Sequence, residues 1–321
     1  MSSGFLAMAL SFLVVSFSGP AVIPLLRKLR FGQQVRDDGP KKHLEKMGTP
    51  TMGGVLIVGG IFISGFIIGP RDSFLITALL TMLFFGLIGF ADDYIKVVLK
   101  RPLGLKARYK LTAQLIGAAL LAYTVTGPLD LGTQLVVPFI YLEISLGWLY
   151  YPFVMALVIG TVNGVNLTDG LDGLAAGTMI FPMFVYGLFS FMAGGVEILV
   201  FSWATLGACA AFLVYNMYPA KIFMGDTGSF ALGSSLAVVA LLTKNELLLL
   251  VLGGVYVIET ISVILQVLIL RWTGKRIFKM APLHHHYELS GLDETKVVRL
   301  FWSVSAVLAV IGYFGMNRGV W

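Results

Sequence analysis

Gly89-Phe90-Ala91-Asp92-Asp93-Tyr94-Ile95-Lys96 closes a long apolar run with two adjacent carboxylates and a lysine. Burying paired carboxylates at a membrane edge is costly unless a cation, a lysine or water stands beside them. Asp92 and Asp93 precede Lys96 by one helical turn, so the three share a face. A salt bridge to Lys96 accounts for one aspartate and leaves the other over. Magnesium takes few carboxylates and completes its shell with water and substrate phosphates, so the pair is expected to form half of a metal and phosphate site.

Four further stretches carry the unusual polar residues. Lys46-Met47-Gly48-Thr49-Pro50-Thr51-Met52-Gly53-Gly54 joins a basic loop to an apolar run; Lys46 and Thr51 could meet phosphate oxygens, or the stretch could be a capped helix start. In Asn163-Gly164-Val165-Asn166-Leu167-Thr168-Asp169-Gly170-Leu171-Asp172-Gly173, the residues Asn166, Asp169 and Asp172 recur every third position and are expected to converge; Asx turns would explain each singly. Asn216 opens a stretch running through Phe223-Met224-Gly225-Asp226-Thr227-Gly228, where Asp226 is either a helix N-cap or part of a phosphate and cation site. Phe223 could stack on a base or simply pack. Met280-Ala281-Pro282-Leu283-His284-His285-His286-Tyr287-Glu288 holds three of the four histidines. Consecutive histidines do not share a helical face as zinc ligands do, so hydrogen bonding to phosphate or sugar is expected.

These stretches need elements to hold them, and the composition says which. Hydrophobic residues make up 57% of the 321 and charged residues only 12%, which describes a polytopic membrane protein. The fold expected is all-α, one integral membrane domain over 1–321 with about ten helices, near 4–26, 53–69, 73–91, 110–126, 146–163, 174–192, 198–216, 228–242, 247–270 and 298–316. The first apolar run is too long for a signal-peptide core and is read as a retained span. With the N-terminus outside, all five motif-bearing loops fall on one side. Only Arg71, Lys244 and Arg318 of the 23 Lys and Arg fall on the other, which places those loops in the cytoplasm and both termini outside. The net charge of +6 then faces anionic lipid heads and anionic substrates. Basic residues pinned to a bilayer in short loops argue against nucleic acid as a partner. The lone Cys209 excludes a disulfide framework.

Gly127 to Gly147 is expected to form a small outer hairpin. Glu259 and Gln266, seven apart on one face of the ninth span, are intramembrane polar residues and so candidates for function or for a structural pair. A transporter would place ionisable residues near the bilayer midplane and show repeated or broken helices. Here the carboxylates gather at the span ends and only Glu259 lies deep.

Taken together and in this order, TPTMGG, ADDYIK, NLTDGLDG, FMGDTGSFALG and APLHHHYE resemble the motifs of the polyprenyl-phosphate N-acetylhexosamine-1-phosphate transferases. The resemblance runs over nearly the whole chain. Within that family, HHH with TPTMGG is similar to the branch whose donor is UDP-MurNAc-pentapeptide, as distinct from relatives using UDP-N-acetylglucosamine. It implies ten helices in the bacterial cytoplasmic membrane, a homodimer among membrane lipids, and a Mg²⁺-dependent site facing the cytoplasm. The implied reaction moves phospho-MurNAc-pentapeptide to undecaprenyl phosphate, giving lipid I and UMP. Carried over, the catalytic residues are Asp92 as base, Asp93, Asp226, Lys96, His285 and His286, with Asp226, Asp93 and Asp92 serving the metal. The substrate-binding residues are Lys46, Thr51, Arg108, Asn166, Asp169, Gly170, Leu171, Asp172, Asn216, Phe223, Gln266 and His284. Among these, Phe223, Gly170 and Leu171 would form the uracil pocket.

Overall fold

The computed structural model describes residues 1–28, 48–101 and 103–316. Among them are α1 (Ser2–Lys28), α2 (Gly54–Ile68), α3 (Ser73–Val97), α4 (Ala107–Thr126), α5 (Tyr150–Thr168), α6 (Leu174–Met192), α7 (Val196–Asn216), α8 (Gly225–Leu242), α9 (Leu249–Leu252), α10 (Gly254–Thr273), α11 (Leu283–Leu289) and α12 (Glu294–Gly315). Eight helices among the described residues are long and apolar enough to cross a membrane, so this is a multi-pass membrane protein. Two of the ten expected spans fall short of that measure. α2 has only 15 residues, and α4 opens on Arg108 and Lys110 and carries Gln114 on its buried face. The expected ninth span is broken at Gly253-Gly254, which separates the short α9 from α10.

α1 shows how the sequence builds the bundle. Its buried residues Gly4, Ala7, Ser11, Val15, Gly19, Ile23 and Leu26 recur at helical spacing, and this narrow small-residue seam lies against α7 and α2. Its other faces stay apolar and exposed, as a lipid-facing helix requires; Phe17 is 78% exposed.

α8 is the opposite case. Every residue from Thr227 to Leu242 is buried, and α3, α5, α2, α6 and α7 pack around it. A helix apolar on all sides belongs in the centre, and here small residues let the neighbours come close. A Cβ on Gly89 of α3 would collide with the Asp226 carbonyl, and one on Gly54 of α2 with the backbone of Gly228. The start of α8 is thereby fixed at the polar ends of α2 and α3. Its far end leads to a second, separate polar cluster, where buried Lys244 and Glu246 lie 3.1 Å apart and Tyr150 donates to Glu246 at 2.6 Å.

The expected hairpin is present as β1 (Gln134–Val137) paired antiparallel with β2 (Leu142–Ser145), Gln134 opposite Ser145 and Val137 opposite Leu142.

Candidate active site

Asp92 and Asp93 sit on the last turns of α3, 1% and 4% exposed, and part company there. Asp93 turns to α8: Oδ1 accepts from the Asp226 backbone N–H at 3.1 Å, and Oδ2 accepts from the Thr227 N–H at 2.9 Å and the Thr227 hydroxyl at 2.6 Å. It thus caps, from a neighbouring helix, the free N–H groups of the first turn of α8. Asp226 is therefore not the N-cap that its place before an apolar run allowed. The N-cap position is Met224, and Asp226 lies inside the first turn.

Asp92 instead faces Asp226 across two lysines. Lys96 Nζ lies 2.5 Å from Asp92 Oδ2 and 3.0 Å from Asp226 Oδ2; Lys110 Nζ lies 3.5 Å and 2.7 Å from the same two atoms. The other Asp92 oxygen accepts from the Leu105 backbone N–H at 2.6 Å. Asp226 Oδ1 accepts from Asn166 Nδ2 at 2.9 Å, and Asn166 Nδ2 also reaches Ser229 Oγ at 2.9 Å. The lysine side chains stay 34% and 21% exposed, so a ligand from solvent has access to them, while Asp92 lies behind at 2%. Lys110 also sits 4.3 Å above the Phe230 ring, a contact that orients it.

The three residues expected to converge at Asn166, Asp169 and Asp172 divide. α5 ends at Thr168, and the turn that follows is closed by Gly173 at φ 79°, so Asp172 leaves the face of the other two. Asp169 stays beside Asp226. Burial, then the charges of Asp226, Asp93 and Asp172, push its carboxyl well above the usual aspartate range, while the Gly225 backbone N–H favours the charged form. Asp172 accepts from the Ala220 N–H at 2.9 Å, and Asn216 accepts from the Gly173 N–H at 3.0 Å while donating to the Ile222 carbonyl at 2.9 Å. These two tie the 169–173 turn to the 217–224 loop. Leu171 is buried with Leu174, Val255 and Phe301.

That second loop also pairs with the stretch before α2. Gly53 and Gly54 donate to the carbonyls of Phe223 and Met224 at 2.9 and 2.8 Å, and Phe223 donates to Pro50 at 2.8 Å. Thr51 is buried against Gly225, whose φ of +75° opens α8, and Phe223 is half-buried. Lys46 lies outside the described residues.

Arg108 is exposed, donates to the Tyr109 hydroxyl at 3.1 Å and takes no part in the carboxylate cluster. Lys110 holds that position. The sequence carried the signal, because Lys110 stands one turn before Gln114, Gly117, Ala118 and Leu121, the buried face of α4, and Arg108 is out of phase with them. Ser229 and Thr227, one turn or less from Asp226, are further site residues not singled out from sequence.

The histidines lie on α11, which α10 holds from beneath. Gln266 Oε1 accepts from the N–H groups of Ile277 and Phe278 at 3.2 and 3.0 Å, and its Nε2 donates to the Phe278 carbonyl at 3.1 Å. His286 Nδ1 accepts from the Lys279 N–H at 3.1 Å, and His285 Nδ1 lies 2.9 Å from Glu288 Oε2. His284 alone is fully buried, beneath the turn at Gly170.

No three His, Cys, Asp or Glu residues among the described ones converge to hold a metal unaided. Magnesium needs only one or two carboxylates when substrate phosphates complete the shell. Asp226 and Asp92, whose facing oxygens two ammonium groups now neutralise, fit that demand. Both Asp93 oxygens are engaged by α8.

Carboxylates and lysines thus gather around one helix start in a many-helix membrane body, and the chains it is similar to make its class a phosphoglycosyl transferase. The model of glycosyl transferase family 4 matches residues 75–244, and the chain belongs to that family. A phospho-N-acetylmuramoyl-pentapeptide-transferase of Desulfitobacterium hafniense is 50% identical over 329 residues, covering 98% of each chain. Those of Desulforamulus reducens, 48% identical over 97% of this chain and 95% of its own, and of Bacillus velezensis, 48% identical over 95% of both, are similar.

Proposed function

We propose that the chain transfers phospho-MurNAc-pentapeptide from its UDP carrier to undecaprenyl phosphate, releasing UMP and leaving lipid I in the membrane. The observation that carries this reading is the pair Asp92 and Asp226 bridged by Lys96 and Lys110. The names and extent of the similar chains support the choice of substrates.

An oxygen of the lipid phosphate bonds to the β-phosphorus of the donor, and the bond from that phosphorus to the bridging oxygen breaks, so UMP leaves with the electron pair. Two anions must meet for this to happen, and catalysis consists mainly of positioning and charge stabilisation. Lys96 and Lys110 leave the carboxylates for phosphate oxygens. Asp92, held through Leu105, takes any proton the lipid phosphate still carries. Asp226 and Asp92 would hold magnesium, and Asp93 fixes the helix start that presents Asp226. Magnesium, when bound, supplies the remaining positive charge on the diphosphate. Asn166 and Asp169 line the same space; Thr51, Gly170, Leu171, Asp172, Asn216, Phe223, Gln266, His285 and His286 shape the donor subsite around it, Arg108 borders it, and Lys46 is assigned to the donor by the family resemblance alone.

The charge asymmetry supports a cytoplasmic site with both termini outside; ten spans in one membrane domain and two copies associating in the bilayer are what the family resemblance implies.

The test is UMP release by detergent-purified protein given UDP-MurNAc-pentapeptide, undecaprenyl phosphate and Mg²⁺, with Asp226→Ala beside it. Release that needs all three and is lost in the variant and under chelation supports the reading. Activity with UDP-N-acetylglucosamine alone would move the substrate to the sister branch, and silence with both donors would end the transferase reading for these substrates.

A further inference from the structure

Glu259 lies in the interior of α10 with no exposed surface, and the groups it meets all belong to the first turn of α11. Oε2 accepts from the Leu283 backbone N–H at 2.8 Å, Oε1 accepts from the His284 N–H at 3.2 Å, and the His284 imidazole Nδ1 stands 3.2 Å from Oε1. That last contact is close enough for charge attraction but is not aligned as a hydrogen bond. On the other side of the ring, a Cβ on Gly170 would run into His284 Nε2, so the imidazole fills the space between Glu259 and the turn that follows Asp169. The ring lies tilted against that of His285, its exposed-side neighbour, with centroids 4.2 Å apart. Seven positions along α10, Gln266 binds the backbone at 277 and 278 in the same way, so two buried side chains of one helix hold both ends of the segment that carries the histidines.

Burying a carboxylate inside a membrane helix is expensive, and two backbone donors with the facing imidazole nitrogen, all from one short segment, are the compensation. An apolar residue would pack the bundle at lower cost, so the position calls for a role beyond packing.

We propose that Glu259 is a positioning residue for the transfer, acting through His284. It sets the height of α11 and, through the wedged imidazole, the separation between His285 and His286 on one side and Asp169 on the other. His284 is accordingly a strut and not a ligand for substrate. The negative charge of Glu259, 3.2 Å from Nδ1, favours the tautomer with its proton on that nitrogen. The kinetic part of this proposal rests on the transferase reading above; the part that concerns the ring does not.

The experiment uses the full chain in detergent with ¹⁵N-labelled imidazoles. With four histidines in the sequence, the ring spectrum is assignable by single substitutions. The native protein should show one ring locked in the Nδ1–H form. Glu259→Gln should release that lock and shift the His285 signal with it, and should lower kcat at least tenfold while the donor KM moves less than threefold, as displaced catalytic groups would and a lost donor contact would not. Gly170→Ala presses on the same ring from the opposite side and should displace the same two signals, which covers the case in which Glu259→Gln does not fold. A native spectrum without a locked Nδ1–H ring overturns the proposal, as does either variant, folded, whose His284 and His285 signals are those of the native chain. Failure of the wild type to release UMP would count against the transferase reading alone.

Discussion

Lys110 Nζ lies 2.7 Å from Asp226 Oδ2, across 116 positions of the chain and between two helices, α4 and α8, that otherwise touch little. The contact makes Lys110 the second of two cations shared by Asp92 and Asp226. Removing it leaves buried Asp92 and half-buried Asp226 to one lysine. Lys110→Met should therefore lower UMP release by about a hundredfold, the order seen when one preorganised charge-stabilising group is removed. Arg108→Met, on the exposed side of the same helix, should cost distinctly less. Equal losses in the two, measured at saturating substrates, would contradict the assignment of Lys110.

Asp93 makes a different prediction from its neighbour. Its three accepted hydrogen bonds all come from the first turn of α8, so its loss strands buried N–H groups at the centre of the bundle. Asp93→Ala should destabilise by about 1–3 kcal/mol, the cost of leaving buried donors unsatisfied. Asp92→Ala should damage activity more than stability. Thermal unfolding in detergent, read beside UMP release, separates the two; a stable Asp93→Ala and an unstable Asp92→Ala would reverse the two roles.

That division marks what could be read from the sequence. Apolar runs and the crowding of Lys and Arg into a few loops identified the membrane body and its polar end, because those signals are local and additive. Asp92 and Lys96 could be paired from spacing alone, being one turn apart. Asp93 could not be separated from Asp92, since its direction is set by where α8 begins, and that depends on Gly89 and Gly54 allowing backbone to touch backbone. Asp172 shares its spacing with Asn166 and Asp169 yet faces another loop, because the helix stops between them. Glu259 and Gln266 were recognisable as a pair on one face, but only the folded chain brings the histidine segment over them.

Asp169 carries a pH signature. Its carboxyl is raised above the ordinary aspartate value of about 3.9 by burial first and by neighbouring carboxylates second. A raised folded-state value means the folded chain binds the proton more tightly than the unfolded chain. The stability this contributes is fully present below the unfolded value and is lost as pH rises through the folded one. Asp169→Asn keeps the size and removes the charge, so its stability relative to the native chain should improve as pH is raised from about 4 towards neutrality. Melting midpoints of both proteins across that range supply the test, and a difference that is flat or of opposite slope would show that Asp169 ionises freely in the fold.

A steric prediction concerns Gly89. This residue lies one turn before Asp93 on α3 and faces the start of α8, where a Cβ would meet the carbonyl carbon and oxygen of Asp226 and the nitrogen of Thr227. All three are backbone atoms at the start of α8, a helix buried from Thr227 to Leu242, so no side chain can rotate away to make room. Gly89→Ala must push α3 and α8 apart, and overpacking of this kind costs about 1–3 kcal/mol. The displacement falls where Asp93 holds α8 and where Asp92 and Asp226 share their lysines, so activity should fall further than the loss of stability accounts for. Gly59, where an added Cβ meets nothing within 4 Å, is the matched control in the same bundle. Gly59→Ala should keep both stability and UMP release near native values. A Gly89→Ala protein that behaves like Gly59→Ala would mean that α3 and α8 approach each other loosely, and with that the fixed spacing of the two aspartates, on which the proposed chemistry depends, would be lost.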